Sequence, residues 1–177
     1  MATAMRARTF WKAVTVDRSN LLDRFLALVR ERRARYCLVG GQAVNAYVDP
    51  VVSLDLDIVI AAGDLERLEP LLSSQFRVDR FSHSLNLTAE GSDLRIQIQT
   101  DPRYAEFLDR AASREVLGLE LPVASVDDVL RGKIWAAEDP ARRGSKRQKD
   151  LADIARLLEQ FPTLRDQVPA SVLKRLI

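Results

Sequence analysis

Apolar and polar residues change their period along the chain, and each change marks an element. Leu21, Leu22, Phe25, Leu26, Leu28 and Val29 recur at helical spacing and predict a helix from about Asn20 to Arg33, capped by Ser19 or Asp17. Arg30, Arg32, Arg33 and Arg35 crowd its end, where cations suit the helix dipole. Tyr36 to Val39 is a short apolar run that reads as a buried strand. The pair Gly40-Gly41 follows, then a short helix from Gln42 to Val48. Asp49-Pro50 stops that helix, because the residue before proline is pushed out of the helical region. Val51 to Ile60 reads as a second strand. Period-two geometry puts Asp55 and Asp57 on one face and Leu54, Leu56, Ile58 and Ile60 on the other.

Further on, Gly63-Asp64 caps a helix to about Ser73, with Leu65, Leu68, Leu71 and Leu72 inward and a kink expected at Pro70. Arg77 to Leu87 alternates as one strand, with His83 on the apolar side beside Phe81, Leu85 and Leu87, a packed residue in preference to a base. Residues 88–92 read as a turn, and Asp93 to Thr100 as the returning strand. Asp101-Pro102 starts a short helix to about Arg110, and Glu115 to Ala124 holds two extended pieces around Gly118. Ser125-x-x-Asp128 approximates a capping box and opens a helix to about Glu138. Asp139 to Gly144 is a loop, Ser145 to Gln160 a regular helix, and Pro162 and Pro169 break the remainder into short turns. These elements predict an α+β (mixed α/β) fold: a small mixed β-sheet with flanking helices and a helical C-terminal part. The expected division is a core over 1–124, including an N-terminal arm, and a helical extension over 125–177 packed on it.

Composition narrows the function classes. The chain has 177 residues, 47% hydrophobic and 29% charged, enough for one domain with a core of its own. Net charge is only +2, so any nucleic-acid binding must come from local clustering. The lone Cys37 lies in an apolar strand, and neither a membrane span nor a signal-peptide core is visible. A cytoplasmic protein without a membrane partner is expected. Before Val16 the basic residues are Arg6, Arg8 and Lys12, and Phe10-Trp11 reads as a hydrophobic hook onto the domain in preference to a targeting arm. Arg131, Lys133, Arg142, Arg143, Lys146, Arg147 and Lys149 cluster late in the chain. No aromatics interleave with the run from Arg142 to Lys149, which argues against an RNA-stacking surface.

Two carboxylates on one face of an apolar strand repel each other and resist burial, so Asp55 and Asp57 call for a cation. The order strand, Gly40-Gly41, helix, strand, Asp55-x-Asp57 resembles the nucleotidyltransferase superfamily of the DNA polymerase beta type. It is most similar to the small bacterial branch of abortive-infection and toxin–antitoxin nucleotidyltransferases, with Ser53 where that branch usually has Thr. Lys133-x-x-Ala136 and Arg147-x-Lys149-Asp150-x-x-Asp153-Ile154 match a later helical segment of the same branch. The resemblance implies a nucleotidyltransferase-like fold and magnesium-dependent transfer of a nucleotidyl group from a nucleoside triphosphate to a protein, RNA or small-molecule acceptor. Asp55 and Asp57 would then hold two Mg2+ ions, with Mn2+ as a substitute. Gly40, Gly41 and Ser53 would face the triphosphate, and Lys133 is either a phosphate contact or a solvated helix end.

The third acid of that family falls in a later strand, and the matching run here is Arg95-Ile96-Gln97-Ile98. Gln97 brings no charge and accepts no proton. Asp93 is the alternative if the register slips, and Asp79 a more remote one. Three functions follow: an active nucleotidyltransferase, a degenerate member that binds nucleotide or a partner chain, or a toxin–antitoxin component whose cognate toxin or antitoxin is a separate chain.

Overall fold

A computed structural model of the chain describes residues 17–176; the basic arm and the Phe10-Trp11 hook lie outside them. Helix α1 (Leu21–Glu31) buries Leu21, Leu22, Phe25, Leu26, Leu28 and Val29, the expected stripe. Each fully buried side chain of this kind contributes roughly 1.5–3 kcal/mol. Asn20 stands at the cap position with a left-handed φ of 52° and makes no side-chain cap bond. Asp17 supplies it instead, its carboxylate accepting from Leu21 N at 3.0 Å.

Strand β1 (Tyr36–Val39) leads into the short helix α2 (Gly40–Asn45), and β2 (Asp55–Ile60) returns antiparallel to β1. After α3 (Ala62–Gln75) come β3 (Arg77–Arg80), β4 (Ser84–Thr88) and β5 (Arg95–Gln99). A 3-10 helix (Pro102–Arg110) leads to the hairpin β6 (Ala112–Val116) and β7 (Leu119–Val123). The helices α4 (Val126–Glu138), α5 (Gly144–Gln160) and α6 (Ala170–Leu173) complete the described chain, with a 3-10 turn over Pro162–Gln167. The strands form one mixed sheet in the order β3-β4-β5-β2-β1-β7-β6, with β2–β5 and β1–β7 parallel. A single apolar core joins α1, the sheet, α4 and α5. The expected mixed α/β sheet with flanking helices is what the chain adopts.

Several boundaries differ from the sequence expectation. The strand expected from Val51 starts only at Asp55; Val51, Val52 and Leu54 are exposed in a loop. That loop is tied down by side chains: Asn45 Nδ2 donates to Val51 O at 2.7 Å, and Gln42 Nε2 to Ser53 O at 3.0 Å. Helix α2 therefore ends at Asn45, short of Val48, with Asn45 committed to the loop. The strand expected over 77–87 is a hairpin, β3 turning back at Phe81–His83 to pair antiparallel with β4. Helix α3 starts at Ala62 and continues past Pro70 to Gln75, without a side-chain cap. Asp64 accepts from Arg35 N at 2.8 Å and so joins this helix to the end of α1. The Ser125 cap is as expected, its hydroxyl accepting from Asp128 N at 3.2 Å. Among the described residues no helix is long and apolar enough to cross a membrane.

Candidate active site

The sheet's polar face and the helices α4 and α5 enclose a cleft of about 920 Å³. Asp55, Asp57, Gln97, Gly40, Gly41, Ser53 and Lys133 all line it, drawn together from four stretches of sequence. Asp93 and Asp79 do not. Asp93 is exposed in the loop before β5, and Asp79 lies on the outer strand β3, 3.4 Å from Arg77. The register leaves no room for a slip, because Asp57 pairs with Gln97 on β5 and Gln97 with Asn86 on β4. The place beside Asp57 is an amide. His83 also departs from expectation: it is exposed in the β3–β4 turn and lines the cleft with Phe81, because the hairpin removes it from the apolar face.

Gly40 is fixed by two demands at once. Its φ is +66°, where glycine carries no Cβ penalty, and a Cβ there would come within 2.8 Å of Asp57 Cβ and press on its carboxylate. The glycine turn and the second acid are therefore packed as one unit. Gly41 is less constrained, with a Cβ meeting Ser53 Oγ at 3.5 Å. Ser53 is buried; its hydroxyl donates to Asp55 O at 3.3 Å and lies 3.4 Å from Lys149 Nζ.

The two carboxylates sit in different surroundings. Arg95 Nε and Nη2 donate to Asp55 Oδ1 at 3.0 and 2.7 Å, and Lys146 Nζ donates to Oδ2 at 3.1 Å. Burial works against the charge of Asp55, but Lys146 and Arg95 outweigh it and hold its pKa below the usual carboxylate value. Among the described residues Asp57 has no bonded cation. Desolvation raises its pKa, with Asp55 adding to the rise, while Lys133, Arg142 and Lys146 oppose it through space. Neighbouring carboxyls whose pKa values are pushed apart are a mark of functional sites.

Lys133 is not a solvated helix end. Its side chain is 8% exposed, with Nζ 3.0 Å from Asp150 Oδ1 and 2.7 Å from Asp153 Oδ2. Burial lowers its pKa, but Asp153 and Asp150 prevail and raise it. Arg142 completes Asp150 at 2.9 Å and Arg156 completes Asp153 at 2.8 Å, so the network locks α4 to α5.

Sequence reasoning left three features unassigned. Lys146 and Lys149 reach β2 and the loop before it; their spacing of one helical turn on α5 was the available signal. Arg95 reaches Asp55 directly across the register. Tyr104, Phe107 and Trp135 form a wall of the cleft, with ring centroids 5.1–5.7 Å apart and Arg103 stacked 4.6 Å from the Trp135 ring. Burial, with the Asp57 charge second, pushes the Tyr104 hydroxyl up to about 12.

No protein-family model matches the sequence, and no curated protein matches it. Solved structures do. The antibiotic-resistance factor ANT(2'')-Ia, in complex with adenylyl-2''-tobramycin, is 17% identical, with a TM-score of 0.58 over 89% of this chain and 97% of that one. The lincosamide antibiotic adenylyltransferase LnuA, lincomycin-bound, is 14% identical, with a TM-score of 0.52 over 81% of this chain and 99% of that one. An antigenic nucleotidyltransferase-like protein from Paracoccidioides brasiliensis is 18% identical, with a TM-score of 0.51 over 82% of this chain and 78% of that one. The chain has the fold of these nucleotidyltransferases.

Proposed function

We propose, from a fold shared with nucleotidyltransferases, that the cleft binds a nucleoside triphosphate and passes its nucleotidyl group to an acceptor. The observation that carries this is the unit of Gly40 and Asp57: a left-handed glycine turn packed against an acid, at the floor of a large polar cleft. Gly40, Gly41, Ser53 and Lys149 face the triphosphate, with Lys149 as a point charge. Lys133, held by two acids, supports the floor and acts on the nucleotide only through its field. The acceptor is a protein, an RNA or a small molecule. Two of the similar structures hold tobramycin adduct and lincomycin, which favours a small molecule here.

Magnesium or manganese takes oxygen donors, and Asp57, Asp55 and the Gln97 carboxamide are donors of that kind. Among the described residues no group of three or more His, Cys, Asp or Glu is placed to share an ion. Both oxygens of Asp55 already accept from cations of the chain. The residues thus fit one divalent ion at Asp57 better than the two that the resemblance implies. When bound, such an ion stabilises charge on the phosphoryl oxygens.

Gln97 favours a second reading, in which nucleotide or a partner chain, such as the other half of a toxin–antitoxin pair, binds without turnover. Calorimetric titration of ATP, GTP, CTP and UTP with and without Mg2+, followed by transfer from an α-labelled triphosphate, separates the two. Slow transfer by the wild type that Gln97→Asp accelerates supports the first. Binding with no transfer by either protein supports the second, and no binding of any triphosphate removes both nucleotide readings.

A further inference from the structure

Lys146 and Lys149 stand one turn apart on α5, and both point at the sheet side of the cleft. The Lys146 ammonium takes Asp55 Oδ2 at 3.1 Å, while the Arg95 guanidinium takes Oδ1 at 2.7 Å. Each oxygen of this carboxylate therefore has a cation of the chain's own. On the neighbouring strand, the place beside Asp57 holds Gln97, an uncharged amide. The two features agree in charge: two carboxylates face two bonded cations, so the floor has less need of divalent metal than a floor of three acids. The Lys146 side chain is 36% exposed, so a loss of its ammonium leaves no buried hole.

We propose that Lys146 is a built-in cation in the place that a second divalent ion would take at Asp55, so that the chain holds at most one such ion, at Asp57. This rests on the reading of the cleft as a nucleotide site, and its test needs no nucleotide. Mn2+ is titrated into the full chain, and the free ion is followed by its electron paramagnetic resonance signal. Lys146→Met keeps the aliphatic stem and removes the charge. It is expected to bind Mn2+ roughly tenfold more tightly than the wild type, or to gain a second bound ion, because an ammonium no longer competes for the carboxylate. Asp55→Asn added to Lys146→Met should erase the gain, and Lys146→Arg, which keeps the charge, should show none. Thermal melts of the variants establish that they are folded.

Equal or weaker Mn2+ binding by Lys146→Met overturns the proposal, as does binding too weak to measure in both proteins or an equal gain in Lys146→Arg. Triphosphate titration of the same samples keeps the two readings apart. Triphosphate binding without the Mn2+ gain leaves the proposed function standing and removes the role of Lys146. A gain in Mn2+ binding without triphosphate binding does the reverse.

Discussion

Lys133 and Lys146 lie on adjacent helices, and each ends on acids at the same cleft, yet their surroundings make them different kinds of residue. Lys133 is 8% exposed and shared between two buried carboxylates, which are themselves completed by Arg142 and Arg156. Lys146 is 36% exposed and makes one bond to a carboxylate that Arg95 already holds. Removing Lys133 leaves two buried carboxylates with one arginine each, less compensation than their burial needs, whereas a half-open pair gives its partner back to water. The first lysine fixes the wall of the cleft, and the second can be exchanged for another cation. Type of residue and nearness to the site are the same; burial decides the role.

The comparison breaks most easily at Lys133. Lys133→Met should destabilise the chain by about 3–5 kcal/mol, read as a lower urea midpoint with an unchanged slope. A loss no larger than that of Lys146→Met would put the two lysines in one class. Gly40→Ala comes next, at about 1–3 kcal/mol for a strained left-handed residue, with further loss from the push on Asp57. Gly41→Ala, whose Cβ has room, should cost clearly less in the same denaturation series.

A pH series sharpens the contrast between the two acids. The Asp57 pKa is raised on folding by desolvation, so the stability it contributes is complete below its unfolded pKa and is lost as pH rises through the folded one. Asp57→Asn should therefore be more stable than the wild type near neutral pH, with the gain shrinking as the solution becomes acid. Asp55 runs the other way, because Lys146 and Arg95 overcome the cost of its burial and lower its pKa. Its contribution is present above the unfolded pKa and fades as pH falls through the folded one. Urea midpoints of the wild type and both Asn variants from acid to neutral pH check both signs. The smallest effect belongs to Lys146→Met, whose partly exposed pair is worth only about 0–1 kcal/mol of stability.

What the sequence disclosed about this site was local. Asp55 and Asp57 share a face because strands have period two, and Gly40 marks a turn because few other residues accept its left-handed backbone. Ser125 announces its helix by a cap within four residues. The hairpin at Phe81–His83 was hidden because Phe81, His83, Leu85 and Leu87 keep the alternation going through the turn, and no glycine, proline or asparagine marks it. Val51, Val52 and Leu54 imitate a strand by composition, while the bonds from Asn45 and Gln42 hold that segment as a loop. The acid pair calls for a cation, and the structure supplies Arg95 and Lys146, residues 40 and 91 positions away from Asp55. The first pairing depends on β2 lying beside β5 and the second on α5 packing against the sheet, and no local pattern encodes either.

The proposed triphosphate site rests on Gly40, Asp57 and Lys149 of α5. Its most direct measurement is titration calorimetry of the four nucleoside triphosphates, with Mg2+, into the wild type, Asp57→Asn and Lys149→Ala. The expected result is that the wild type binds at least one triphosphate and that each substitution weakens it by roughly tenfold or more, the scale of one lost charge-assisted contact. Binding of equal strength in all three proteins, or no binding by the folded wild type, would contradict it.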